Sequence, residues 1–173
     1  MKHFTFLATV LALISVVAGC AIEPVPPCPE IRIDSNTAVF TVFRDKGGQD
    51  ITDIAYEAEI VSFEGSCAFD DDGVEVRMDM DIVVSGGPAV QPGTVDLYYF
   101  VAVPKFHPNP TGKKIFSRVY EFPRSSIRSE RLTESNIRIF LPLEDRITAA
   151  AYDIYLGFQL TDEQLAYNRS RKR

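Results

Sequence analysis

Between Val74 and Val84 an apolar side chain occupies every even position: Val74, Val76, Met78, Met80, Ile82 and Val84. Glu75, Arg77, Asp79 and Asp81 fill odd positions between them. A two-residue period sends successive side chains to opposite faces of a β-strand, so this run predicts one buried face and one wet face. A helix would scatter the same apolar residues around its circumference, and a one-residue slip of strand register would bury all four charges. The period recurs in Ile54, Tyr56, Ala58 and Ile60 against Asp53, Glu57 and Glu59. It recurs again in Val95, Leu97, Tyr99, Val101 and Val103, and in Tyr152, Ile154, Leu156, Phe158 and Leu160. Less regular strands are expected at 30–34, 38–44, 114–122 and 136–141.

Turn chemistry separates these runs: Asp45-Lys46-Gly47-Gly48, Asp70-Asp71-Asp72-Gly73, Ser85-Gly86-Gly87-Pro88, Pro92-Gly93 and Asn109-Pro110-Thr111-Gly112. About eight strands joined by such turns, with no long amphipathic helix between them, predict an all-β fold, an antiparallel sandwich. The one helical signal is late. Thr161-Asp162-Glu163-Gln164 has capping-box spacing, and a short C-terminal helix starting there would bring Leu165 and Tyr167 back onto the sheets. Ala151-Tyr152-Asp153-Ile154-Tyr155-Leu156 resembles a late strand of an immunoglobulin or fibronectin type III domain, which implies a β-sandwich of that general kind.

The N-terminus reads as an address. Met1-Lys2-His3 is a short basic start, and Phe4 to Val17 is a mostly apolar run of fourteen residues. That is too short to span a bilayer, which takes ~20 residues, but it suits the core of a signal peptide. It ends in Val17-Ala18-Gly19-Cys20, which resembles the lipobox of bacterial lipoproteins. The resemblance implies removal of residues 1–19 and acylation of Cys20. Ala21 stands where an aspartate favours inner-membrane retention in enterobacterial lipoproteins, so the likeness further implies the periplasmic face of the outer membrane. An ordinary secretory signal with an incidental cysteine is the alternative. Residues 20–29 follow as anchor and tether, with four prolines between Ala21 and Pro29 favouring an extended spacer. The folded domain is expected over 30–168, and a basic tail over 169–173.

With Cys20 acylated, Cys28 and Cys67 remain, and an oxidising compartment leaves them one pairing. A structural disulfide is expected there rather than a redox pair, which normally sits as Cys-x-x-Cys near a helix start.

The inventory for chemistry is thin. Acidic residues outnumber basic ones 24 to 18, the reverse of a general nucleic-acid binder. His107 is the one histidine after residue 19, and it lies in the proline-rich Lys105-Phe106-His107-Pro108-Asn109-Pro110. A solvated loop position is expected for it rather than a catalytic one. A zinc site would lack its usual nitrogen and sulfur ligands. Gly47-Gly48 lacks the pattern of a phosphate loop, and no cofactor is expected. Asp70-Asp71-Asp72-Gly73 is the best metal candidate, because crowded carboxylates are relieved by a hard cation such as Ca²⁺. Aligning Gly73 with the invariant glycine of an EF-hand puts Ala68 at the first ligand position and a strand over 74–79, so that reading fails. A looser site on Asp70 and Asp72 stands beside the plainer reading of a solvated acidic hairpin.

Arg169, Arg171, Lys172 and Arg173 crowd into the last five residues. They suit docking onto anionic envelope polymers or headgroups, or simply a disordered, solubilising end. Phe116, Tyr120 and Phe122 share a strand face with Arg118, while Ile115 and Val119 lie opposite; Tyr98 and Phe100 likewise point away from the aliphatic stripe of their strand. Burial of both faces is expected, the alternative being an exposed patch for a partner.

Phe100-Val101-Ala102-Val103 and the stretch from Gly157 to Arg169 resemble small, uncharacterised proteobacterial envelope lipoproteins, a likeness that implies a compartment and no activity. The expected function is therefore a non-enzymatic interaction or assembly module, held to the membrane by its lipid and meeting an envelope protein or anionic polymer. The competing expectation is a carboxylate- or calcium-dependent protein that binds or hydrolyses envelope glycans.

Overall fold

The computed structural model describes residues 25–122 and 129–171. Eight strands are found among them: β1 (Glu30–Ile33), β2 (Val39–Phe43), β3 (Ile54–Phe69), β4 (Gly73–Gly86), β5 (Gly93–Ala102), β6 (Lys113–Phe122), β7 (Ser129–Pro142) and β8 (Asp153–Phe158). One α-helix, α1 (Asp162–Arg171), follows. The strands make two four-stranded sheets, ordered β2-β3-β4-β7 and β1-β8-β5-β6. All pairings are antiparallel except β1 with β8. The fold is thus the expected all-β sandwich with a short C-terminal helix. The chain runs as a β2-β3-β4 meander, a β5-β6 hairpin in the facing sheet, then returns of β7 to β4 and β8 to β5. Immunoglobulin constant domains instead group their strands as ABED and CFG.

The core lies between the sheets, where the alternation places it. Every even residue of β4 from Val74 to Val84 is at most 2% exposed, and Leu97, Val101, Ile154, Leu156 and Phe158 close over them from the other sheet. Glu75, Arg77, Asp79 and Asp81 stay on the outer face.

Two strands outrun their sequence signal, for one reason. β3 carries a bulge at Val61, between the Ile60–Ile82 and Ser62–Asp81 pairs. An inserted residue reverses the alternation, so the inner face passes from Ala58 and Ile60 to Phe63, Cys67 and Phe69. β7 slips likewise opposite Asp79, and its inward set changes from Leu132 and Glu134 to Ile137, Ile139 and Leu141. Asn136 sits at that slip with φ of 62°, and its unpaired backbone N–H is taken by Asp79 Oδ1 at 2.7 Å.

Candidate functional site

The tether meets the domain at the end of the sandwich where β3 turns into β4. Cys28 and Cys67 form a disulfide with their Cα atoms 5.9 Å apart. The β3 bulge makes this possible, because it turns Cys67 toward the side where the incoming chain passes. Cys20 lies outside the described residues. Beside the bridge is a groove of about 750 Å³ bordered by Val25, Pro26, Phe69, Leu143 and Ile147.

The acidic turn at the same end is not arranged as a metal centre. Asp70 Oδ1 accepts the backbone N–H groups of Asp72 and Gly73, at 3.0 and 2.8 Å, and so builds the turn itself. Asp71 pairs with Arg146 at 2.9 Å, while Asp72 is exposed. Gly73 serves a close approach of two strands: a Cβ there would lie 2.1 Å from the carbonyl oxygen of Leu141. Among the described residues no three or more His, Cys, Asp or Glu side chains gather as a metal site. His107 is exposed in the β5–β6 connection, as expected of a loop histidine.

The basic C-terminus departs from the expectation of a loose tail beginning at 169. The capping box forms as expected: Thr161 N donates to Gln164 Oε1 at 3.0 Å, and Gln164 N donates to Thr161 Oγ1 at 3.2 Å. The helix it starts runs through Arg171, because its side chains are stitched to β2. Tyr167 meets Phe43 edge-on at 4.9 Å, and Asn168 Nδ2 donates to the carbonyls of Asn36 and Val39. Arg171 pairs with Glu57 at 2.9 Å and lies over the Tyr167 ring; the bond to Glu57 raises its pKa further. Of the four proposed docking cations, Arg169 is exposed on this helix and Arg171 is engaged within the domain. Lys172 and Arg173 lie outside the described residues. Asn168, the asparagine of the Asn-Arg-Ser triplet, is 6% exposed and held by these bonds.

A polar seam between the β6 and β7 edges went unnoticed in the sequence. Tyr99 Oη donates to Glu134 Oε2 at 3.0 Å, and Arg118 Nε lies 3.4 Å from the other carboxylate oxygen. Tyr120 Oη donates to Glu130 at 2.5 Å. Burial, then the neighbouring glutamate, raises both phenols, that of Tyr120 to about 12. Both hydroxyls donate to glutamates of the facing sheet, so the seam works as a clasp between the sheets. The signal for it was Glu134 interrupting an apolar face, hidden by the change of phase in β7.

The aromatic question resolves by face. Phe116, Tyr120 and Phe122 point inward, with Phe122 4% exposed and Phe116 stacked on Tyr99 at 5.2 Å. The other face is not covered, contrary to the expectation of burial on both sides. Tyr98, Ile115 and Val119 are 47%, 53% and 61% exposed. The β5–β6 register sets Tyr98 against Ser117, between Ile115 and Val119, so the three form one apolar patch on the outer face. β6 is the last strand of its sheet and among the described residues pairs with β5 alone, which places this patch beside a strand edge with no described partner. No helix among the described residues is long and apolar enough to cross a membrane.

Comparison with known proteins adds no identification: no family model, no curated protein and no solved structure matches this chain.

Proposed function

We propose that this protein is a lipid-anchored module of the bacterial cell envelope that acts by binding another macromolecule rather than by catalysis. The observation that carries the reading is the apolar patch of Tyr98, Ile115 and Val119 beside an open edge. Isolated apolar residues are ordinary on a surface, but a contiguous group at the edge of a sheet is costly to leave in water and suits a contact. The anchor follows from the lipobox-like Val17-Ala18-Gly19-Cys20. Its eight-residue step from Cys20 to Cys28 spans ~25 Å as a polyproline II spacer, so the domain would ride close to the membrane. Acylation at Cys20 and a periplasmic position on the outer membrane belong to this proposal.

Two measurements test it. Palmitate labelling should be lost in Cys20→Ala together with recovery in the membrane fraction; label that persists would overturn the anchor. A photo-crosslinking residue in place of Tyr98 should give covalent products in intact cells, while the same residue in place of Glu59, on the outer face of the other sheet, should give few. Equal yields at the two sites, or none at Tyr98, would overturn the binding surface.

A further inference from the structure

The outward residues of β6 read Lys113, Ile115, Ser117, Val119 and Glu121, and all five are exposed. Written backwards the series has the same character with its charges exchanged. We propose that β6 pairs antiparallel with β6 of a second copy of this chain, about a two-fold axis through Ser117, joining two four-stranded sheets into one of eight strands.

Complementarity selects both the partner and the register. In an antiparallel pair, directly opposed residues share a face and interact across the ladder. With Ser117 opposite itself, Ile115 of each copy meets Val119 of the other, and Lys113 meets Glu121. On the inward face Lys114 falls opposite Tyr120, and Phe116 opposite Arg118, so each cation meets an aromatic ring rather than a like charge. Shifting the axis one residue toward the C-terminus sets Arg118 against itself. Shifting it one residue the other way sets Lys114 against Arg118. Like charges directly opposed are destabilising, so of these three registers one is free of repulsion.

The edge is also suited to the contact. Lysines on an edge strand usually discourage pairing, but Lys113 and Lys114 sit together at one end, opposite the end that carries Glu121. Lys113 Nζ now holds the neutral Gln159 Oε1 at 2.7 Å and lies over the Phe100 ring. A carboxylate from a second copy offers the same ammonium a charged partner. Pairing would also continue the apolar patch across the axis, so that Tyr98, Ile115 and Val119 of both copies form one surface. The proposal draws on the patch described above and is independent of lipid anchoring.

The test uses the full chain, purified in mild detergent with its disulfide intact. Sedimentation velocity across the micromolar range should show a concentration-dependent monomer–dimer equilibrium. Glu121→Lys and Lys113→Glu should each weaken it by roughly tenfold, about what the two lost favourable contacts and two new repulsions of a symmetric pair represent. The double exchange, Lys113→Glu with Glu121→Lys, should restore it. Ser117→Cys should oxidise to a covalent dimer faster than Ile115→Cys, because Ser117 alone faces its own copy. A monomer at every concentration overturns the pairing. So does a dimer whose strength ignores both charge reversals, or one that cross-links better through position 115. Failure here leaves the palmitate result unaffected, so a missing dimer and a missing anchor are read separately.

Discussion

Gln164 Nε2 donates to the backbone carbonyl of Thr41 at 3.1 Å, while Oε1 of the same amide closes the capping box at Thr161. One side chain thus starts α1 and ties it to the outermost strand of the β2-β3-β4-β7 sheet. Asn168 repeats the device one turn later, at Val39. The pair gives side-chain donors to an edge that would otherwise rely on water, which is one way of blunting a strand edge. On the opposite flank, β6 has no such cover among the described residues.

Asn168→Ala should lower stability by about 2 kcal/mol, since it removes two hydrogen bonds made by a buried amide to part-buried carbonyls. Arg169→Ala, one position on and exposed, should stay within about ±0.5 kcal/mol. Urea denaturation of the two variants side by side checks the contrast.

Replacing Cys28 and Cys67 together by serine should cost about 4 kcal/mol on the chain-entropy argument for a closed loop of this size, the separation being 39 residues. Thermal unfolding with and without reductant should show the same loss in the wild-type chain. Two free thiols in oxidised protein, found by peptide mapping, would contradict the bridge.

Met78 and Asp79 are neighbours with opposite duties. Met78→Asp should destabilise by about 3–5 kcal/mol, because it puts an unpaired carboxylate at a site 2% exposed. Asp79→Asn keeps an oxygen for the Asn136 N–H and should change stability by less than about 0.5 kcal/mol. Asp79→Ala leaves that bulge donor without its acceptor and should cost about 1 kcal/mol. Equal effects of the two Asp79 substitutions would show that the bond to the bulge contributes nothing.

Asp81 accepts from Thr133, Ser62 and Arg131 at 2.8–3.0 Å. The Thr133 bond first, then that from Ser62, holds its carboxyl below the ordinary 3.8. A carboxyl with a lowered folded-state pKa binds fewer protons folded than unfolded. Its stabilisation is therefore present above the ordinary value and is lost as pH falls through the lower one. Melting temperature measured against pH should fall in that acid window, and Asp81→Asn should flatten that part of the curve.

The sandwich was legible because alternation is local. A strand with apolar residues on every second position can satisfy them only by burying one face, whatever surrounds it, and the turns at Asp70–Gly73 and Asn109–Gly112 follow from their own side chains and backbone. The capping box at Thr161 was legible for the same reason, as was the Cys28–Cys67 bridge, where two cysteines left a single pairing. What the sequence did not reveal depends on groups distant along the chain. The bulges in β3 and β7 reverse the alternation partway along each strand, so Cys67 and Glu134 pointed inward against the local pattern. Asp70, Asp71 and Asp72 looked alike in sequence, yet the turn takes the first, Arg146 the second, and solvent the third. Arg171 looked like part of a free tail until β3 supplied Glu57 and the β2 side supplied the carbonyls that hold its helix. The outer face of β5 and β6 looked buriable by composition, and only the order of strands left it open. Periodicity settles which face of a strand must be dry; which strand stands last in its sheet, and what lies over its outer side, is decided by long-range pairing that no single segment encodes.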